Sequence, residues 1–382
     1  MVSKIITELK RGKAADIDGL TAEHLLFSHP ILPVLLSKLF QLIISSRYIP
    51  SGFKYSYIVP IPKPKDCHNK VMKCDDFRGI AISPVISKVL EYCFLEKFQS
   101  LITTNDNQFG FKKGIGCHHA IYTARNIVNR FVNAGSTINL CAIDLSKAFD
   151  KVNHKALYIK LMKRGIPERL LELLENLFSN CYSCVKWNNV WSSVFDIAFG
   201  VRQGSVLSPF LFALYLDDLA KLCDAKNGCF IILYADDILL ISPSVVYLEQ
   251  LLHACERELH WLDMAINFDK SCCLRVGPRN NIACAAITSL SGRVLPWVAE
   301  MRYLGVYFMQ SCSFKCSLDH AKRSFYRAAN SIFGKIGRIA PEEVILQLVK
   351  SKCVPVLLYG LEACALNKSQ IGSLDFVMNR FL

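Results

Sequence analysis

The chain lacks any uninterrupted apolar run of the roughly 18 residues that a bilayer-spanning helix needs. It also lacks a charged-then-apolar leader, since Met1-Val-Ser-Lys-Ile-Ile-Thr-Glu-Leu-Lys-Arg11 mixes both kinds of residue from the start. The expectation is an intracellular chain with no membrane partner; no basic run is long enough to choose nucleus over cytoplasm. There is no internal repeat and no low-complexity segment, which excludes solenoids and disordered tails. Acidic residues are in short supply, 32 Asp and Glu against 45 Lys and Arg, a formal charge of +13. Such an excess favours a polyanionic partner. Cysteine is abundant, 17 residues, but organisation among them is missing. Cys181-Tyr-Ser-Cys184 has metal-ligand spacing without a second pair, and Cys312-x-x-x-Cys316 with His320 is equally incomplete. Most of the cysteines therefore read as small buried hydrophobes.

What is present is chain enough for two or three subdomains, 382 residues with 52% hydrophobic content. Residues 19–46 have helical periodicity, as do 85–102, 118–133, 210–223 and 245–263, and 152–177 reads as a helical pair broken at Gly165 and Pro167. Tyr57-Ile-Val-Pro-Ile-Pro62 is extended, its prolines suiting an edge strand or loop, and Lys63, Lys65 and Lys70 follow in a hairpin. Residues 184–199 are β-type around an Asn188-Asn189 turn, and the chain beyond 315 is mostly helical. From 301 onward, eleven Lys and Arg face five Asp and Glu.

The chemistry centres on Ile231-Ile-Leu-Tyr-Ala-Asp-Asp-Ile-Leu-Leu-Ile241, two apolar runs bracketing adjacent carboxylates, Asp236 and Asp237. This pattern predicts a β-hairpin turning at the break. Neighbouring carboxylates repel by about 4 kcal/mol at an effective dielectric of 20, a cost that a divalent cation removes. A solvated turn is the plain alternative. Upstream, Ile138-Asn-Leu-Cys-Ala-Ile-Asp144 is a strand ending in a third carboxylate, after which Ser146 can begin a helix. Asp144 with Asp236 can supply oxygen ligands to paired Mg²⁺ ions. Between them, Gly200-Val-Arg-Gln-Gly-Ser-Val-Leu-Ser-Pro209 allows close backbone approach to a ligand, with an amide at Gln203.

In order and spacing these segments resemble the palm of a reverse transcriptase. Further segments narrow the resemblance to the non-LTR (LINE-type) retrotransposon group: Leu9–Glu23, Ile58–Lys63, Phe77–Ile82, Ser87–Glu91, Gln108–Gly114, Asn267–Lys270, Tyr303–Val306 and Leu357–Gly360. The resemblance implies an α+β right-hand polymerase. Residues 1–52 would be a helical extension of the fingers, 53–135 the fingers, 136–310 the palm with a helical insertion at about 152–195, and 311–382 an incomplete helical thumb. It implies an RNA-directed DNA polymerase using two Mg²⁺ ions, with Mn²⁺ as a substitute. Its partners would be an RNA template, a DNA primer and deoxynucleoside triphosphates. Asp144, Asp236 and Asp237 would hold the metals, and Lys270 would protonate departing pyrophosphate. Lys63 and Arg78 would clamp the triphosphate, Phe149 would exclude a 2′-hydroxyl, and Gln203 would lie near the nascent base pair. Tyr303, Leu304 and Gly305 would hold the primer end. Departures stand at Ala15-Asp16, Gly79 and Ile115-Gly116-Cys117. An endonuclease usually precedes the fingers in this group, so the chain reads as a copy truncated at both ends. The rival readings are a catalytically silent remnant and a maturase-like RNA-binding protein.

Overall fold

A computed structural model describes residues 1–63, 72–337, 339–364 and 366–380. The expected lysines 65 and 70 lie outside the described residues. The chain divides into two compact units. Unit 1 comprises residues 1–105, 147–218 and 260–264, and unit 2 comprises 106–146, 219–259 and 265–382. This partition assigns 106–135 to unit 2, whereas the sequence resemblance puts those residues in the fingers.

Unit 1 is built on a sheet of β1 (Tyr55–Pro62), β2 (Phe77–Ile82) and β4 (Cys181–Trp187), the last paired with short return strands β5 (Val190–Trp191) and β6 (Phe195–Ile197). β1 is antiparallel to β2 along its length but parallel to β4 only from Tyr55 to Ile58. Pro60 and Pro62, which cannot donate to a ladder, therefore lie past the end of the β4 pairing. The strand is internal at one end and an edge at the other, which reconciles it with the edge-strand expectation. Gly79 is needed here because a β-carbon would stand 3.0 Å from Ile58 Cγ2. The periodic stretch 19–46 is two helices, Ala22–Leu26 and Leu32–Ser46, separated at Pro30 and restarted with Pro33 in the first turn. Asp16, one of the departures, has a structural use. Its buried carboxylate accepts from Leu20 N at 2.8 Å and caps helix Val85–Lys97 through Val85 N at 2.8 Å.

Unit 2 holds a four-stranded antiparallel sheet ordered β7-β8-β3-β9: β3 is Ile138–Ile143, β7 Phe230–Tyr234, β8 Asp237–Ser242 and β9 Cys272–Val276. Helix Cys117–Asn133 lays Ala120, Ile121, Ala124 and Val128 into a core with Ile138, Leu140, Ile232, Leu239, Ile241 and Leu274. The helix repeat and the strand alternation thus meet on one face of the sheet. A hairpin of strands Glu300–Tyr303 and Val306–Met309 joins the same core. Its tip, Leu304-Gly305, has φ of 45° and 85°, the two positive values that a type I′ turn requires.

The C-terminal helices form a second core. One continuous helical stretch covers Glu342–Leu348, a π-helical turn Val349–Cys353 and Val354–Leu358. Together with residues up to 363 it is long and apolar enough to cross a membrane by length and composition, with hydropathy 1.5. A buried stripe of Ile345, Val349, Cys353 and Leu357 in the C-terminal core accounts for that apolar character. Beyond it, Tyr359 covers the hairpin tip. Its hydroxyl donates to Leu304 O at 3.1 Å, and its ring lies 2.8 Å from where a Gly305 β-carbon would be.

Candidate active site

The paired carboxylates sit where the ladder turns. Tyr234 pairs with Asp237, leaving Ala235 and Asp236 as a two-residue loop. Ala235 has φ of 56° and is buried, a conformation that an alanine adopts only when its surroundings hold it. The holding comes from residues 107–110. Leu233 N donates to Asn107 O at 2.9 Å and Phe109 N donates to Leu233 O at 2.8 Å, so this segment runs beside β7 like a short extra strand. The fully buried Gln108 then offers Oε1 to Gly110 N at 2.9 Å and to Ala235 N at 3.3 Å. Gly110 leaves no room for a side chain, because a β-carbon there would stand 2.4 Å from Ala235 N. Sequence reading quoted Gln108–Gly114 only as a matching segment; a glutamine two residues before a glycine was its one visible signal.

Ile143 pairs with Ile238, and continuing that register sets Asp144 opposite Asp237, on the neighbouring strand. Directly opposed residues of antiparallel strands have β-carbons about 5 Å apart. The backbone of Asp144 is fixed on its other side, donating to Ser271 Oγ at 3.1 Å and accepting from Asn267 N at 2.8 Å. The segment Asn267–Lys270 is thus an anchor for Asp144, and its lysine reaches the carboxylate. Lys270 Nζ lies 3.3 Å from Asp144 Oδ2, in a pair open to solvent. Ser146 does not begin a helix as the sequence led us to expect. Ser146 N is tied to Ala265 O, Lys147 is left-handed, and only a short 3₁₀ turn follows at Ala148–Lys151.

The three acids interact electrostatically. Burial, then Asp236 and Asp144, push the Asp237 carboxyl up to about 6, with Arg302 opposing. Among the described residues no three acidic, histidine or cysteine side chains are grouped closely enough to enclose a metal ion. The donor chemistry still fits a hard divalent cation, since all three groups are carboxylates and Asp237 pays an electrostatic cost that a cation would relieve. Tyr303 is buried in the core, 5.7 Å from the Phe308 ring. Its hydroxyl has no hydrogen-bond partner among the described residues. Burial and Asp237 hold that phenol well above its usual range. Leu304 is half-buried and Gly305 exposed, at the hairpin tip.

The remaining candidates lie in unit 1. Arg78 is exposed on β2, opposite Ile61. Lys63 follows β1, its N–H bonded to Asp76 O at 2.8 Å. The Phe149 ring stacks on Phe212, centroids 4.3 Å apart and planes 18° from parallel. Gln203 is half-buried and donates from Nε2 to Asp150 Oδ1 at 3.0 Å.

Residues 61–308 match the family model described as reverse transcriptase (RNA-dependent DNA polymerase). The chain belongs to this reverse transcriptase family. Among its relatives, the RNA-directed DNA polymerase from mobile element jockey of Drosophila funebris is 25% identical, over 94% of this chain and 40% of that protein. The probable RNA-directed DNA polymerase from transposon BS of Drosophila melanogaster is 24% identical, over 92% of this chain and 40% of its own length. The Pol polyprotein from the type-2 element R2DM of the same fly is 23% identical over 74% of this chain and 28% of the relative. This reverse transcriptase chain therefore spans about two fifths or less of the curated relatives it matches. Among solved structures, apo telomerase from Candida tropicalis superposes with a TM-score of 0.52 at 11% identity, covering 93% of this chain and 67% of that one. The reverse transcriptase has the expected right-hand polymerase fold, mixing helices and sheets.

Proposed function

We propose that the chain is the RNA-directed DNA polymerase of a non-LTR retrotransposon, adding deoxynucleotides to a DNA primer's 3′-hydroxyl on an RNA template. The observation that carries this reading is the meeting of Asp144 with Asp236-Asp237 at one edge of the antiparallel sheet. Asp144 and Asp236, assisted by Asp237, would hold Mg²⁺ ions or Mn²⁺ in their place. When bound, such ions acidify a hydroxyl and neutralise a pyrophosphate leaving group. Binding asks Asp144 to release Lys270, and an exposed pair of this kind is worth under about 1 kcal/mol. Lys270, once released, is a cationic donor beside the acids, fit to protonate pyrophosphate.

In unit 1, the planar fork of Arg78 suits a triphosphate bidentately, with Lys63 as a second cation. Phe149 is held rigid by its stack on Phe212, as a wall that rejects a 2′-hydroxyl must be. The exposed tip at Leu304-Gly305, with Tyr303 beneath it, is assigned to the primer end. The names of relatives, which include RNA-directed DNA polymerases of mobile elements, support the same reading.

The test is extension of oligo(dT) on poly(rA) with Mg²⁺, beside Asp236→Asn. Extension by the wild type, lost by at least about 10³-fold in the variant, is the expected result. Binding of template–primer with no metal-dependent extension would instead identify a silent RNA-binding remnant.

A further inference from the structure

Gln203 belongs to a loop that unit 1 holds at several points. Its carbonyl accepts from Ala81 N at 2.7 Å. Gly204 follows at φ 120°, with a hypothetical β-carbon only 2.2 Å from Ala81 O, so the loop backbone lies flat against β2. The next three residues converge on one buried oxygen. Glu91 Oε2 accepts from the Ser205 hydroxyl, from Val206 N at 2.7 Å and from Leu207 N at 3.0 Å. Glu91 is 1% exposed and comes from the interior of helix Val85–Lys97. Charge-assisted bonds to a buried carboxylate are among the stronger ones a protein makes. Here they fix three consecutive residues next to Gln203.

The Gln203 side chain is fixed separately. Its partner, Asp150 Oδ1, belongs to a carboxylate, which as an anion has lone pairs and no proton to give. The amide NH₂ must therefore face Asp150, and the amide oxygen is left facing elsewhere. Among the described residues, Gln203 Oε1 accepts no hydrogen bond, and the residue is only half-buried. A glutamine amide can ordinarily turn over and offer either end. This one cannot do so without setting two oxygens against each other.

We propose that Asp150 and Glu91 are positioning residues that present Gln203 as a hydrogen-bond acceptor, so that the group it meets on an incoming deoxynucleotide is a donor. This rests on the polymerase reading. Asp150 sets the polarity of the amide, and Glu91 sets the path of the backbone that carries it. The donor is an N–H of the base or a hydroxyl of the sugar.

The experiment is single-nucleotide incorporation by the full chain, wild type beside Asp150→Asn, Glu91→Gln, Glu91→Ala and Leu90→Ala, with thermal melting of each. Asn at 150 can donate or accept, so it frees the amide to turn over without changing the shape of the site. It should raise KM for the nucleotide about tenfold with kcat changed less than about threefold, at an unchanged melting temperature. Glu91→Gln keeps an oxygen for the loop and stays near wild type, whereas Glu91→Ala raises KM. Leu90 is a fully buried neighbour on the same helix, and Leu90→Ala should lower the melting temperature while leaving KM alone. Dideoxy analogues separate the two sources. A sugar 3′-hydroxyl donor makes the wild type discriminate against them and Asp150→Asn not, while a base donor leaves the discrimination equal.

A wild-type KM in Asp150→Asn, or a KM that tracks melting temperature across the whole set, overturns the proposal. If the wild type extends nothing, the polymerase reading fails on its own. Amide exchange at Val206 and Leu207 then still tests the Glu91 contact: faster exchange in Glu91→Ala than in the wild type supports it, and equal exchange overturns it.

Discussion

At residues 234–237 the backbone is committed before any side chain acts, because β7 and β8 run into the turn in register and residues 107–109 flank β7. At residues 203–207 there is no such ladder. That loop touches β2 through one backbone bond and owes the rest of its path to Glu91 and Asp150. The turn is therefore held by neutral groups, the loop by two acids. Neutral backbone bonds are insensitive to pH and salt, whereas a buried carboxylate contributes only while it is ionised. The contrast teaches that a rigid site can be built either from sheet register or from polar side chains reaching in. Only the first kind shows in hydrophobic pattern.

Matched glycine substitutions test the contrast most severely. Gly204→Ala forces a β-carbon against Ala81 O at a φ that side chains rarely adopt, and should cost about 3 kcal/mol or more of stability. Gly110→Ala meets only Ala235 N, at an ordinary φ, and should cost about 1–3 kcal/mol while displacing the catalytic turn. Melting curves and extension rates together should show the loop variant failing to fold well and the turn variant folding but extending poorly. Equal melting of the two would break the comparison.

Lys270→Ala sharpens the account of the turn side. The pair with Asp144 is exposed, so stability should change by under about 1 kcal/mol. Loss of the proposed acid should nevertheless slow incorporation by about 10²-fold or more, measured at saturating nucleotide. A rate close to wild type removes Lys270 from the chemistry.

The smallest effect expected is on pH dependence. Asp237 holds its proton more tightly folded than unfolded, its carboxyl being raised from 3.8 to about 6. Its stability cost is absent below pH 4, grows as pH rises through 6 and is complete above that. In metal-free buffer, Asp237→Asn should therefore be the more stable protein at pH 7.5, by at most about 2–3 kcal/mol, with the difference vanishing near pH 4. Denaturant melts at the two pH values measure it; no crossover with pH would remove the crowding of acids inferred here.

Much of the architecture was legible because apolar periodicity and turn chemistry reported it. The hairpin at Tyr234–Asp237, the strand leading to Asp144 and the helical pair broken at Gly165 and Pro167 all follow from local pattern. Ser146 misled because a cap residue competes with tertiary pairing, and the bond to Ala265 O wins. Glu91, Gln108 and Asp150 were beyond sequence reading for a different reason. Their partners lie 53 to 127 positions away, and single polar contacts at that range leave no periodic trace.

One consequence concerns the π-helical turn at Val349–Cys353. Its neighbours Ile345, Val349, Cys353 and Leu357 recur every fourth residue, a spacing that a pure α-helix would wind progressively off the core. The widened turn takes up that slack like an extra tooth on a gear. Deleting Ser351 would restore ordinary winding and swing everything after it by roughly 100°. Tyr359 would leave the hairpin tip it covers, and a one-residue loss in a helix would be felt at a β-turn 46 positions back along the chain.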